Sequence, residues 1–82
     1  NVSLFQYNND TFVLYCYAGS NALPERVSIH LLSPACHLTE LNGKPIGNFI
    51  ETFCHHQQWD EKEWITSVLV HPGEFYAFKI AR

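Results

Sequence analysis

The chain has 82 residues, of which 46% are hydrophobic and 16% charged, and its formal net charge is −3 at pH 7. This length allows one domain with a small core, and the composition is too apolar for a disordered chain. The Lys and Arg residues are scattered, which argues against nucleic acid as a partner. No apolar run approaches the roughly 18 residues of a membrane-spanning helix, so no transmembrane segment is predicted.

Turn-forming clusters recur at short intervals and separate short stretches of alternating polarity, a pattern typical of all-β domains. They are Asn8-Asn9-Asp10, Gly19-Ser20-Asn21, Ser33-Pro34, Asn42-Gly43 and His71-Pro72-Gly73. The sequence therefore predicts a mainly β single domain over residues 1–82, a small antiparallel sandwich or open barrel of hairpins.

The first predicted hairpin joins residues 2–7 to residues 11–18. Both faces of its second strand are apolar or aromatic, which indicates a central strand. The two faces are Phe12, Leu14, Cys16 and Ala18 on one side, and Val13, Tyr15 and Tyr17 on the other.

Residues 27–32 form the next predicted strand, which Pro34 ends. Residues 37–41 and 44–49 flank Asn42-Gly43, a strong hairpin signal, although Pro45 and Gly47 weaken the second arm as a strand.

Residues 48–58 are the one stretch where a short helix is favoured over a strand. Asn48 and Glu51 have the spacing of a capping box, and Ile50, Phe53 and Cys54 follow at helical spacing.

The last predicted hairpin pairs residues 63–70 with residues 75–82 through a type II turn at Pro72-Gly73. Opposed residues point to the same side, so one face is predicted to enter the core: Ile65, Ser67, Leu69, Tyr76, Phe78 and Ile80. The other face then lies outside the core and is more apolar than a typical solvated surface. It includes Trp64, Val68, Val70 and Phe75.

Three cysteines permit three single-bridge pairings. Cys16 lies inside a strand and is predicted to be buried and unpaired, which leaves a predicted disulfide between Cys36 and Cys54. This cysteine content favours an exported protein: secreted, periplasmic or on the cell surface. The chain contains no Met and begins with Asn1, so we expect a segment to have been removed upstream. An upstream lipid anchor is compatible with this, and Asn1 and Asn9 begin glycosylation sequons.

The alternative interpretation of the Cys and His residues is a metal-binding or redox module. Its ligand set comprises Cys36, His37, Cys54, His55 and His56. Neighbouring strand residues point to opposite faces, however, and therefore rarely bind one ion. Phosphate-binding glycine loops and nucleophile signatures are absent from the sequence, so we predict neither an enzyme nor a cofactor.

Aromatic residues make up 15% of the chain, more than so small a core needs. Large aromatic side chains are enriched in binding hot spots, and the candidates for exposure are Tyr15, Tyr17, Trp59, Trp64 and Phe75. The sequence predicts a partner-binding patch formed by Trp64, Val68, Val70 and Phe75 and extended by Trp59. The predicted function is protein–protein binding at a cell surface or in the envelope, as an inhibitor, a receptor blocker or an assembly subunit.

Overall fold

The computed structural model describes residues 2–19, 21–55 and 58–82, and the only regular secondary structure in them is β-strand. The eight strands are β1 (Val2–Gln6), β2 (Thr11–Cys16), β3 (Glu25–Leu31), β4 (His37–Glu40), β5 (Pro45–Asn48), β6 (Ile50–His55), β7 (Asp60–Val70) and β8 (Phe75–Ala81). The predicted mainly β fold is confirmed. The described residues include no helix that is long and apolar enough to cross a membrane.

The strands form two antiparallel sheets that pack together. One sheet has five strands in the order β1-β2-β8-β4-β5, and the other has three in the order β3-β7-β6. Strand β2 pairs with β8, and β3 pairs with β7, so the second pair lies between the members of the first pair along the chain. Strand β2 lies between β1 and β8, so its prediction as a central strand is confirmed.

Both sheets contribute alternate side chains to one core, as expected for a sandwich. The buried apolar residues are Phe12, Leu14, Cys16, Ala35, Leu38, Phe49, Val68, Val70, Phe78 and Ile80. Leu38 and Val70 have no exposed surface at all. Strand β5 closes one side of the core at Gly47, where a Cβ atom would lie 3.0 Å from the Thr66 hydroxyl of β7.

The predicted pairing of residues 63–70 with residues 75–82 is wrong, although both strands and the turn between them form. Strand β7 belongs to the three-stranded sheet and β8 to the five-stranded one. Gly73, with φ of +80°, donates its backbone N–H to the carbonyl of Cys16, and the Cys16 N–H donates to Glu74. The turn is thus bonded to the end of β2 and carries the chain from one sheet to the other.

This crossing reverses the predicted inward face of β7 but not that of β8. Val68 and Val70 are buried, whereas Leu69 is 46% exposed. On β8 the predicted core residues Phe78 and Ile80 are indeed buried. Since β7 and β8 are not paired, the inward face of one does not determine that of the other.

The short helix favoured near residues 48–58 is also wrong, because Ile50–His55 forms strand β6. Asn48 ends strand β5 and is therefore not available as a helix cap. Every residue of β6 has a partner on β7, from Ile50 opposite Ile65 to His55 opposite Asp60. Pairing across the hairpin overrides the helical spacing of the side chains.

Candidate functional site

The outward side of the five-stranded sheet carries a continuous group of apolar side chains. We call it the outer aromatic face, and its members are Phe5, Val13, Tyr15, Phe75 and Ala77. Strand register places them together, because Phe5 lies opposite Val13 and Val13 opposite Ala77. Tyr15 lies opposite Phe75 in the next outward-facing row. The face therefore spans β1, β2 and β8 without interruption.

Aromatic contact and exposure distinguish this face from a solvated surface. The rings of Tyr15 and Phe75 have centroids 4.5 Å apart and are tilted by 32°. Phe5 and Phe75 are each 73% exposed, and Tyr15, which contacts the Phe75 ring, is half-buried. A contiguous exposed apolar patch on a small protein is typical of a contact site.

Polar residues bound the outer aromatic face at one end. The row that follows Val13 and Ala77 contains Thr11 opposite Lys79, and the Lys79 side chain is exposed. An apolar centre next to a polar edge is the usual arrangement of a protein–protein interface.

A network of hydrogen bonds holds the backbone that presents Phe75. The Tyr76 hydroxyl accepts a bond from the His71 N–H at 2.7 Å and donates one to a Glu74 carboxylate oxygen at 2.9 Å. Desolvation raises the pKa of Tyr76, the bond to Glu74 raises it further, and the His71 N–H acts in the opposite direction. The neutral phenol therefore braces the corner where β8 begins.

The predicted patch is not assembled as a unit. Val68 and Val70 lie in the core, which corrects their assignment to a binding surface. Trp64 is half-buried and packs against the core, while Trp59 is 57% exposed beside the start of β7. Of the predicted patch, only Phe75 therefore lies on the outer aromatic face. Phe75 is in the five-stranded sheet, whereas Trp64 is in the three-stranded sheet.

Sequence reasoning missed Phe5, Val13 and Ala77 as members of a site. The first hairpin was a usable signal, because its Asn8–Asp10 turn places Phe5 opposite Val13. Ala77 could not be predicted in this way, because it joins the face only through the long-range pairing of β2 with β8.

The predicted Cys36–Cys54 disulfide is wrong, because all three cysteines are unbonded. The Cys36 backbone is held beside the five-stranded sheet by bonds to Ala81 and Phe49. Cys54 lies on β6 in the three-stranded sheet. The two residues are thus fixed to different sheets. Cys16 is buried and free, as predicted.

The alternative metal-binding set is not brought together either. Within residues 2–19, 21–55 and 58–82, no three His, Cys, Asp or Glu side chains are close enough to hold one metal ion. His37 contacts Asn48 in the five-stranded sheet, and His55 contacts Asp60 in the other. His56 lies outside the described residues.

Glu63 of the three-stranded sheet interacts with two other titratable side chains, one on each neighbouring strand. His30 Nδ1 lies 3.1 Å from Glu63 Oε1, and the Glu63 side chain is only 11% exposed. A hydrogen bond from the Cys54 thiol to Glu63 is the main cause that raises the pKa of Cys54. Because a nucleophilic cysteine requires a thiolate, this carboxylate acts against activation of Cys54.

Comparisons of the chain with protein-family models, with curated proteins and with solved structures give no match.

Proposed function

We propose that this protein works by binding another protein, and that the outer aromatic face is its contact surface. The observation that carries the proposal is the Tyr15–Phe75 ring pair, in which Phe75 is 73% exposed, together with the equally exposed Phe5 in the neighbouring row of the sheet. Exposed aromatic side chains contribute large contact areas at a low cost in conformational entropy, and they frequently anchor interfaces. A blocking or assembly role requires only such a surface.

The partner should present an apolar surface with a polar or acidic border. The outer aromatic face has no charged member, and the exposed Lys79 stands at one end of it. An acidic group at the matching edge of the partner would favour one orientation of the complex.

Export remains part of the proposal, and its support is the position of one sequon. Asn9 is exposed in the turn between β1 and β2, where an attached glycan would not disturb the core. Asn1→Gln keeps only the Asn9 sequon. Expression in a secreting eukaryotic cell, followed by enzymatic removal of N-glycans, should change the mass of Asn1→Gln but not that of the double variant Asn1→Gln/Asn9→Gln. Identical masses before and after treatment would remove this support.

Site-specific photocrosslinking tests the proposed contact surface in the cells that make the protein. A benzophenone amino acid is placed at Phe75 or, as a matched control, at Phe53 of β6. These two residues are 73% and 69% exposed and lie on different sheets. The proposal predicts a discrete crosslinked partner from position 75 and not from position 53. The same products from both positions would contradict it.

A further inference from the structure

A second feature, independent of the outer aromatic face, lies between the two sheets. An open cavity of about 380 Å³ separates the inner faces of β1 and β2 from β3. Its walls are apolar over most of their extent, with Leu4, Phe12, Leu14, Ile29, Leu31 and Ile80 among them. β1 and β3 are edge strands of their sheets, so the cavity opens where the sandwich is not closed by a further strand.

Burial along β1 shows that the core is incomplete here. Leu4 lies on the inward side of β1, opposite the buried Leu14, yet it is 63% exposed. Val27 and Ile29 of β3 also point toward the core and are only half-buried. In a filled sandwich such positions would be covered by side chains.

The volume and the lining define the class of occupant. An apolar cavity of about 150 Å³ is enough to bind benzene, and this one is more than twice as large. None of the described residues that line it is Asp, Glu, Lys or Arg, and its polar members are Gln6, Asn9, Ser28 and His30. These four residues are exposed and supply hydrogen-bonding groups at the opening.

We propose that this cavity binds an uncharged small molecule with an apolar body and a hydroxyl or similar neutral head. The apolar body replaces the missing side chains between β1 and β3, and the head reaches the amide of Gln6 at the opening. A carboxylate or phosphate head is disfavoured, because neither Lys nor Arg is among the described lining residues to offset its desolvation, and the lining His30 lies 3.1 Å from the Glu63 carboxylate.

A fluorescence titration with the neutral dye N-phenylnaphthylamine tests the site. Leu4 and Phe5 provide a matched pair of variants, because they are adjacent, similarly exposed and on opposite faces of β1. Leu4→Asp places a charge in the cavity and should weaken dye binding by about tenfold or more. Phe5→Asp changes only the outer aromatic face and should leave the dye affinity unchanged. Circular dichroism establishes that both variants fold.

Competition then tests the head group. Decanol should displace the dye from the wild type, and decanoate should not. Equal displacement by both would overturn the neutral-head assignment. Absence of saturable dye binding to the wild type, or equal losses in Leu4→Asp and Phe5→Asp, would overturn the site itself. Because Phe5→Asp alters the proposed partner surface and Leu4→Asp alters the cavity, failure of one proposal is distinguishable from failure of the other.

Discussion

A pair of identical substitutions, Leu38→Ala and Leu69→Ala, tests whether the chain crosses between sheets after β7. Leu38 has no exposed surface and lies between Ile80 of β8 and Gly47 of β5. A buried Leu→Ala change costs about 2–5 kcal/mol, since a cavity is added to the lost transfer free energy. For a chain of 82 residues, the total stability is about 4–12 kcal/mol. Leu38→Ala therefore removes a large part of it.

Leu69 should behave differently because 46% of it is already in solvent. The change removes three carbon atoms, worth about 0.8 kcal/mol each when fully buried. With roughly half of that burial and no enclosed cavity, the cost is about 1 kcal/mol. Each kcal/mol lowers the Tm of a domain of this size by about 4–8 °C.

Thermal unfolding followed by circular dichroism measures both changes. We expect a Tm lowered by about 12–24 °C in Leu38→Ala, for a cost near 3 kcal/mol, and by under about 8 °C in Leu69→Ala. If Leu38→Ala does not fold, the milder Leu38→Val provides the comparison. A loss in Leu69→Ala as large as that at Leu38 would show that Leu69 is in the core. That result would restore a β7–β8 hairpin and refute the two-sheet arrangement.

Three further predictions follow from the hydrogen bonds and the turn. Tyr76→Phe removes both bonds of the phenol and should cost about 1 kcal/mol. The raised pKa of Tyr76 means that the folded protein holds this proton more tightly than the unfolded chain does. The free energy of unfolding of the wild type should therefore fall as the pH rises above 10.0, the ordinary pKa value, and it should fall less steeply in Tyr76→Phe. Parallel curves of stability against pH would contradict this. Glu63→Gln should lower the pKa of Cys54 and accelerate its alkylation below pH 9.0, as measured by mass spectrometry. The control Glu51→Gln should not change the rate. Equal rates in the wild type and both variants would exclude the hydrogen bond between Cys54 and Glu63. Gly73→Ala should destabilise by about 1 kcal/mol or more in urea unfolding, because φ of +80° disfavours a side chain; an unchanged midpoint would exclude that conformation.

Local sequence signals predicted most of the strands and turns. The Asn8–Asp10 and Asn42-Gly43 turns connect hairpins, and Gly43 has φ of +91°. Alternation along β2 correctly identified Phe12 and Leu14 as core residues. These features depend on residues close in sequence, where spacing and turn chemistry determine the geometry.

Long-range pairing was the part that the sequence did not determine. Residues 63–70 and 75–82 are close in sequence and alternate in compatible register, so a hairpin was the simplest interpretation. The structure instead pairs each with a distant strand, β3 and β2 respectively. The face of β7 opposite to the predicted one points inward, so Val68 and Val70 lie in the core and not in the predicted patch. The site prediction failed for that reason at these two residues, while Phe75 remained on the surface.

The disulfide prediction failed for a similar reason. Cys36 and Cys54 were selected because Cys16 was assigned to a strand interior as a buried, free residue. Cys16 is buried and free, but it is the last residue of β2. Elimination does not establish proximity, however, and the other two cysteines are attached to different sheets. The stabilisation of this small fold therefore depends on the shared core.

The affinity of the crosslinked partner for two single variants tests the proposed function most directly. Isothermal titration calorimetry would compare wild type, Phe75→Ser and Phe53→Ser, which remove the same side chain from two similarly exposed positions. An anchor residue at an interface contributes more than about 1 kcal/mol, so the Kd of Phe75→Ser should rise about fivefold or more. The Kd of Phe53→Ser should remain at the wild-type value. An unchanged Kd for Phe75→Ser would contradict binding through the outer aromatic face, whatever the Kd of Phe53→Ser.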